Sequence, residues 1–498
     1  MKKITSLPWH ILLLPVFYTL HVYNEYFGIY NISLAFRFTC YYLALAAGVF
    51  LFSFLLLKNK IKGAVWTSLF LLAFFFFGAT HDFLKTIGLP KFFVSYTFLL
   101  PLGIIFFIFL GIRLKKSSPP AKSNRFFGYL FIMLFLLETA ITLFYIFSNE
   151  IKKKDPAGNN PPLNLSLSTS NENQKPDIFF MVFDEYTSST ALKKYYHFDN
   201  SGIDSALVNA GFFISTNSQS NYNATSLSIG STFNLQYFNK NIEKTPNNPF
   251  SLLRGAYSFK NSLLPDLLEK NGYDIINHGL CDIKGHPVSV EPLFTEFAKR
   301  VMYYETLWGR IKKDIYWNLT VRLPGYNKLK PADMNFVNRN RYNYTNFLTE
   351  LGKEGDRPKF VYGHVAIPHR PACVDRHGNL RMVSDDDFTD ANHDKLYVEQ
   401  VIYANTWIDS LAKAATTTKR SRPLVLIIEG DHGNRYAAWG RPIREKQFMN
   451  LNAYYFSDKD YTMLYDSISP VNSFRVVLNK YFQTSLPLLK DSTIRLAD

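Results

Sequence analysis

The chain is 498 residues long, 47% hydrophobic and 19% charged, with a formal net charge of +15. A mean hydropathy of −0.07 hides two different polymers: residues 1 to about 148 are aromatic and aliphatic with sparse charge, and 175–498 have the mixture of an ordinary globular domain. The positive balance does not indicate nucleic acid, because much of it lies in loops between apolar stretches and no basic stripe with interleaved aromatics marks the remainder.

Five apolar stretches come first: Pro8–Tyr26, Phe38–Leu57, Val65–Thr80, Phe92–Ile112 and Phe126–Phe147. Most approach the ~20 residues that cross ~30 Å of hydrocarbon. Val65–Thr80 is short and has to borrow Phe83 and Leu84 beyond His81-Asp82. If each stretch spans once, Lys2, Lys3, Lys58, Lys60, Lys62, Arg113, Lys115, Lys116, Lys122 and Arg125 share one side. The opposite loops hold only Arg37, Lys85 and Lys91. The positive-inside rule then puts the amino terminus in the cytoplasm and everything after Phe147 outside it, the Lys152-Lys153-Lys154 run included. The first stretch is followed by four more and has no small-residue cleavage site, which excludes a cleaved signal peptide. Glu138 is the one acid in mid-membrane and is expected to face the bundle interior. Cys40 lies in a span; Cys281 and Cys373 share the oxidising side and can either pair or remain two buried thiols.

Residues 149–175, with Asn159-Asn-Pro-Pro162, have linker composition. Thereafter strands are expected at Ile178–Phe183, Phe212–Ser215, Tyr273–Asn277, Phe360–His364, Leu424–Ile428 and Ala453–Phe456. Helices are expected at Ser189–Tyr196, Ile203–Ala210, from Thr225, and at Ser262–Lys270, His393–Ala415 and Asn472–Phe482. Continuous Ile/Val/Phe/Leu strands alternating with helices indicate an α/β domain over 176–498, with a largely parallel central sheet covered by helices on both faces. The chain thus divides into a transmembrane domain of about five helices at 1–148, a linker at 149–175 and the α/β domain.

Three segments carry chemistry. Asp184-Glu185 follows a buried strand, where ligands of open α/β sheets collect; the same pair also suits a helix start. Thr225, in Asn221-Tyr-Asn-Ala-Thr225-Ser-Leu-Ser-Ile-Gly-Ser231, opens a helix whose amino end favours an anion. Asn223-Ala-Thr225 is also a nominal glycosylation sequon. Asp431-His432 ends Leu424-Val-Leu-Ile-Ile-Glu-Gly430, and a carboxylate beside an imidazole suits zinc or manganese. His364 and His369, in Phe360-Val-Tyr-Gly-His364-Val-Ala-Ile-Pro-His369-Arg-Pro371, can bind a second metal, hold a phosphate or protonate a leaving alkoxide. Arg370 and Arg435 are candidate phosphate clamps. Tyr186, Trp439 and the aromatic run Tyr303–Trp317 are candidates for a lipid-accessible rim, while His278, His286 and His377 have no assigned role.

In this order the motifs resemble the alkaline phosphatase/sulfatase superfamily, and within it the membrane-bound phosphoethanolamine and phosphoglycerol transferases, lipoteichoic acid synthases included. Asp-His-Gly after a hydrophobic strand is the most specific element, and Thr225 followed by Ser228 matches the transferases' nucleophile segment. The formylglycine frame of sulfatases, Cys/Ser-x-Pro-x-Arg, does not occur. The resemblance implies a divalent ion (zinc or manganese, otherwise magnesium or calcium) held by Asp184, Glu185, Thr225, Asp431 and His432. It makes Thr225 the nucleophile, with His369 and His364 assisting the alcohol. It further implies a membrane phospholipid as donor of a phosphoethanolamine- or phosphoglycerol-type group and an envelope glycolipid or glycan as acceptor. The setting is a multi-pass protein of a bacterial-type inner or plasma membrane with its catalytic domain outside. A membrane-tethered hydrolase of phosphodiesters or sulfate esters, and a catalytically silent envelope scaffold of the same fold, are the alternatives.

Overall fold

The computed structural model of the chain describes residues 8–27, 32–148, 165, 167, 175–238, 249–290, 295–316, 330–331, 334–383, 390–435 and 445–495. Contacts divide it into two compact units, one of residues 1–152 and 296–323, the other of 153–295 and 324–498. Residues 296–323, expected inside the α/β domain, therefore cluster with the amino-terminal helices. Most of the expected linker and Trp439 lie outside the described residues.

The first unit holds helices α1 (His10–Glu25), α2 (Ile32–Leu57), α3 (Lys60–Phe75), α4 (Phe77–Thr86), α5 (Tyr96–Lys116) and α6 (Ala121–Ser148). Among the described residues three helices, α2, α5 and α6, are long and apolar enough to cross a membrane; the bent pair α3–α4 raises this to four if it is one span. The expected stretches at Pro8–Tyr26 and Val65–Thr80 are the two that do not reach that length as single helices. The first stretch forms a helix of only 16 residues, and Val65–Thr80 breaks at Phe76, where α3 and α4 diverge by 57°. A helix's first N–H groups lack intrahelical acceptors, and here Gly78 N–H donates to Glu305 O at 2.8 Å. A Cβ at Gly78 would stand 2.4 Å from Glu305 Oε2.

Polar groups inside the bundle are paired, as an apolar surrounding requires. Glu138 accepts from Asn24 Nδ2 at 2.7 Å and meets His21 Nδ1 at 2.7 Å, which ties α6 to α1. It faces the bundle interior as expected and is bound by helix-packing contacts. Helices Thr295–Tyr304 and Leu307–Arg310 and the π-helix Ile311–Tyr316 complete this unit. The Arg310 fork reaches Asp82 at 2.6 and 3.2 Å and Glu305 at 3.1 Å, and its side chain is 3% exposed. Tyr96 donates to Asp314 beside it.

The second unit is built on a six-stranded sheet in the order β2-β8-β7-β1-β5-β3. Its strands are β1 (Asp177–Phe183), β2 (Phe213–Ile214), β3 (Asp274–His278), β5 (Lys359–Val365), β7 (Leu424–Glu429) and β8 (Asn452–Phe456), while β4 (Lys330–Pro331) and β6 (Met382–Val383) pair separately. Strands β3, β5, β1 and β7 are parallel, and β8 runs antiparallel between β7 and β2. Successive side chains alternate between faces. Phe179, Met181 and Phe183 enter a core with helices Ser189–Tyr196, Met334–Leu351 and Asp390–Thr417. Ile178, Phe180 and Val182 enter the opposite core with helices Thr225–Asn234, Leu263–Lys270 and Pro470–Phe482. Burial of both faces explains why the strands read as continuous apolar runs. It also separates the cysteines: Cys373 belongs to the first core and Cys281 to the second, on opposite faces of the sheet, and the two are not paired with one another.

Arg310→Met should loosen the segment 295–316, because it removes the fork and leaves Asp82 and Glu305 without their cation. Limited chymotrypsin digestion of the detergent-solubilised protein should then cut first between Tyr303 and Tyr316. Equal cleavage of variant and wild type would count against the latch.

Candidate active site

Parallel pairing brings three strand ends to one edge of the sheet. Val182 of β1 is in register with His364 of β5 and with Glu429 of β7, so Asp184, His364 and Asp431 emerge beside one another. The loop after β7 fits only with glycines at its corners. A Cβ on Gly430 would lie 2.1 Å from Tyr186 O, and one on Gly433 2.0 Å from Lys446 O.

Asp184, Asp431 and His432 are buried and present ligand atoms that all lie within 4.8 Å of one another. The Asp431 carboxylate is oriented by its backbone neighbourhood: Oδ1 accepts from the N–H groups of Glu185 and His432, each at 3.0 Å. Its Oδ2 has no hydrogen-bond partner and stands 3.4 Å from His432 Nε2. His432 Nδ1 donates to Gly433 O at 2.9 Å, which fixes the tautomer and leaves the Nε2 lone pair facing inward. That nitrogen is 3.9 Å from Asp184 Oδ1, another buried oxygen without a hydrogen-bond partner. Burial raises the Asp184 carboxyl well above its ordinary range, and the like charges of Asp431 and Glu185 push the same way.

Thr225 is the first residue of its helix, after Ala224 in extended conformation. Its hydroxyl lies 3.4 Å from His432 Nε2. The helix is pinned to the metal-ligand loop, because Ser228 Oγ donates to Asp431 O. Asn223 Nδ2 donates to Gln447 Oε1 at 2.9 Å and anchors the approach. No side chain caps this helix, so its amino end, beside His432, presents backbone donors and a positive dipole.

His364 is fully buried, with Nδ1 paired to Tyr362 OH at 2.7 Å and Nε2 lying 3.8 Å from Asp184 Oδ2 without a hydrogen-bond partner. Burial lowers this imidazole to about 4, although the Asp431 charge opposes the shift. His369 faces the neighbouring wall. Its Nδ1 donates to Arg370 O at 2.6 Å, so Nε2 is the acceptor for Arg435 Nη2 at 3.2 Å.

Glu185, expected among the metal ligands, is not one of the three residues whose ligand atoms lie within 4.8 Å of one another. Its backbone has a φ of +62°, and its Oε2 is buried without a hydrogen-bond partner. Its Oε1 accepts from Arg435 Nε at 3.1 Å. Burial would raise this carboxyl, but His369, Arg435 and His432 outweigh it and hold it at about 2. Arg435 thus has the buried Glu185 carboxylate as its partner. Tyr186, expected at a lipid-accessible rim, is buried and hydrogen-bonded to Asn405 and Asn200.

Sequence reasoning missed the braces around these groups. Asn340 and Asn343, on the unforeseen helix Met334–Leu351, bond to the backbone at the end of β5: Asn340 Oδ1 accepts from Ala366 N, and Asn343 Nδ2 donates to His364 O at 3.2 Å. Only an Asn every three or four residues on an apolar face could have pointed to them.

The sulfatase family model matches residues 198–467, a span that contains Thr225, His364, His369, Asp431 and His432 and leaves Asp184 and Glu185 outside it. No curated protein matches the chain. Among solved structures it is similar to the integral membrane protein lipooligosaccharide phosphoethanolamine transferase A of Neisseria meningitidis, at 14% identity, 96% of this chain, 95% of that chain and a TM-score of 0.42. It is also similar to the C-terminal periplasmic domain of phosphoethanolamine transferase EptC of Campylobacter jejuni, at 14% identity, 65% and 95% coverage and a TM-score of 0.39. For the phosphonate monoester hydrolase of Agrobacterium radiobacter the values are 12%, 61% and 73%, and 0.38.

The buried imidazole sets a pH signature. Between its ordinary 6.5 and about 4, the unfolded chain carries a proton on His364 that the folded chain does not, so stability falls as pH drops through that window. Glu185, at about 2, adds its own loss only below its ordinary 4.5. Asp184 and Glu429, whose carboxyls burial raises, favour the folded state as pH falls and oppose this loss, so the readout is a difference: from pH 6.5 to 4 the melting temperature of chelator-treated His364→Gln should fall less, or rise more, than that of the chelator-treated wild type. An unchanged slope in the variant would contradict the buried neutral imidazole.

Proposed function

The chain belongs to the sulfatase family, and from that premise we propose a membrane-anchored, metal-dependent transferase. It moves a phosphoryl-linked group from a phospholipid donor to an envelope glycolipid or glycan through Thr225. One observation carries this reading. Asp184 Oδ1 and Asp431 Oδ2, buried and without hydrogen-bond partners, converge with His432 Nε2 beside the Thr225 hydroxyl at a helix amino end.

Carboxylate oxygens left without partners beside an imidazole nitrogen in a buried cluster fit a divalent cation, since such oxygens otherwise cost several kcal/mol of lost solvation. Asp184, Asp431 and His432 would hold it, with the Thr225 oxygen as a fourth donor; zinc or manganese suits the set. When bound, such an ion supplies positive charge that favours the threonine alkoxide and offsets charge on a phosphoryl oxygen.

The remaining work belongs to the chain. Thr225 Oγ forms a bond to the donor phosphorus while the bond from phosphorus to the lipid alcohol oxygen breaks, and the proton given up by the threonine hydroxyl is replaced by one on the departing alcohol. The acceptor hydroxyl then attacks the phosphodiester on Thr225 and gives up its proton as the threonine oxygen leaves and takes one, which restores the hydroxyl and completes transfer. Backbone N–H groups at the helix start face the anionic group. Arg435, held by Glu185, and His369, whose Nε2 accepts from Arg435, form the wall against which an alcohol or phosphoryl oxygen is positioned. His364 supports the cluster from β5 and stays neutral. The positive-inside pattern supports an extracytoplasmic location for this unit.

Two measurements test this. Asp431→Ala or His432→Ala should strip the metal, read by elemental analysis of the purified full chain, and abolish transfer; stoichiometric metal in the double variant would remove the site as drawn. Thr225→Ala should keep the metal but lower transfer from a labelled phospholipid by at least ~10³-fold, with Thr225→Ser retaining part of it. Full turnover in Thr225→Ala would rule out Thr225 as the nucleophile, whereas normal envelope chemistry in a strain carrying only Thr225→Ala, with no transfer by the purified wild type, would favour the scaffold reading. A Thr225 adduct resolved by water alone, across glycolipid and glycan acceptors, would favour the hydrolase.

A further inference from the structure

The membrane unit contains an apolar cavity of about 660 Å³ between α2, α3, α5 and the segment beginning at Leu307. On α5 its lining runs from Leu99 to Lys115, about 24 Å at 1.5 Å per residue, which accommodates an extended acyl chain. Its floor is a set of interlocked rings. Trp66 and Phe70 stack with centroids 5.7 Å apart, and Phe107 meets both edge-on at 5.4 and 5.6 Å. Trp66 Nε1 donates to Phe107 O at 3.1 Å, so the one polar atom of the floor is satisfied. Two glycines keep the groove open: a Cβ on Gly103 would meet nothing within 4 Å, and one on Gly111 only Trp66 Nε1 at 3.7 Å.

One end of the groove is strongly basic. Lys115 lines it, Lys62 Nζ donates to Lys115 O at 3.2 Å, and Arg113 and Lys116 follow on the same helix turn. No acidic residue occurs in the sequence between Glu25 and Asp82 or between Asp82 and Glu138, so α2, α3 and α5 offer these cations no carboxylate at that end. An aliphatic slot ending in lysines matches a lipid with a negative phosphate, and basic pockets between membrane helices bind such headgroups.

We infer that this groove is a binding site for one anionic phospholipid, with an acyl chain along the Gly103–Gly111 face of α5 and its phosphate at Lys62 and Lys115. The inference does not rest on the reaction proposed for Thr225.

Phosphatidylglycerol and phosphatidylcholine of the same chain length serve as probes for the delipidated full chain in detergent. Phosphatidylglycerol should raise the melting temperature and survive as a one-to-one adduct in native mass spectrometry, and phosphatidylcholine should do neither. Lys62→Gln with Lys115→Gln should weaken phosphatidylglycerol binding about tenfold or more, without moving the melting temperature of the lipid-free protein. Gly103→Leu with Gly111→Leu should fill the slot and abolish the adduct. Equal retention of both lipids, or an undiminished phosphatidylglycerol adduct in the lysine variant, would overturn the inference.

Discussion

The second unit is organised around an electrostatic conflict. Two carboxylates and an imidazole are placed where three parallel strands end, and the Asp184 and Asp431 oxygens that face the imidazole are buried without hydrogen-bond partners. Isolated, such a cluster opposes folding, because charge loses its hydration and gains a like neighbour. The strands tolerate it because their own stability is large: β1, β5 and β7 are buried on both faces across their whole length. Backbone donors then orient what charge remains, most clearly at Asp431 Oδ1. A rigid hydrocarbon frame thus holds polar atoms in an arrangement they would not adopt by themselves, which is the usual condition for binding a cation or an anionic transition state.

How much of this was legible depends on the range of the forces involved. The strands Ile178–Phe183 and Leu424–Ile428 were found within a residue or two because burial on both faces leaves a local apolar run. Asp184, Thr225 and Asp431-His432 were found because functional groups collect just past such runs. The orientation of Glu185 was not legible. It depends on Arg435, 250 positions away, and adjacent acids after a strand look equivalent until that partner is placed.

The helix Met334–Leu351 was missed for a different reason. Asn recurs at 335, 338, 340, 343 and 346, and asparagine is a poor helix former. Its buried face, Val337, Asn340, Tyr344, Phe347 and Leu351, has helical spacing, but a polar residue interrupts the stripe. That interruption is the brace for the strand end below the site, so the feature that obscured the helix is the one its position requires. The break in the third apolar stretch was not legible for a geometric reason: hydropathy registers Val65–Thr80 as one stretch, whereas the backbone bends at Phe76 and spends the second half beside Glu305 and Arg310.

The placement of residues 296–323 with the amino-terminal helices gives the chain an interleaved connectivity. During synthesis Asp82 emerges more than two hundred residues before Arg310, its cationic partner. The helical unit therefore cannot reach its final form until β1, the Thr225 helix and β3 have already been translated, and β5 and β7 come later still. Biogenesis of the two folds is coupled by the order of the polypeptide itself. A truncation that discards the first 150 residues would leave the Arg310 segment without the carboxylate, tyrosine and glycine surfaces it closes on, and would expose a buried cation to solvent at the heart of an otherwise complete sheet domain's sequence.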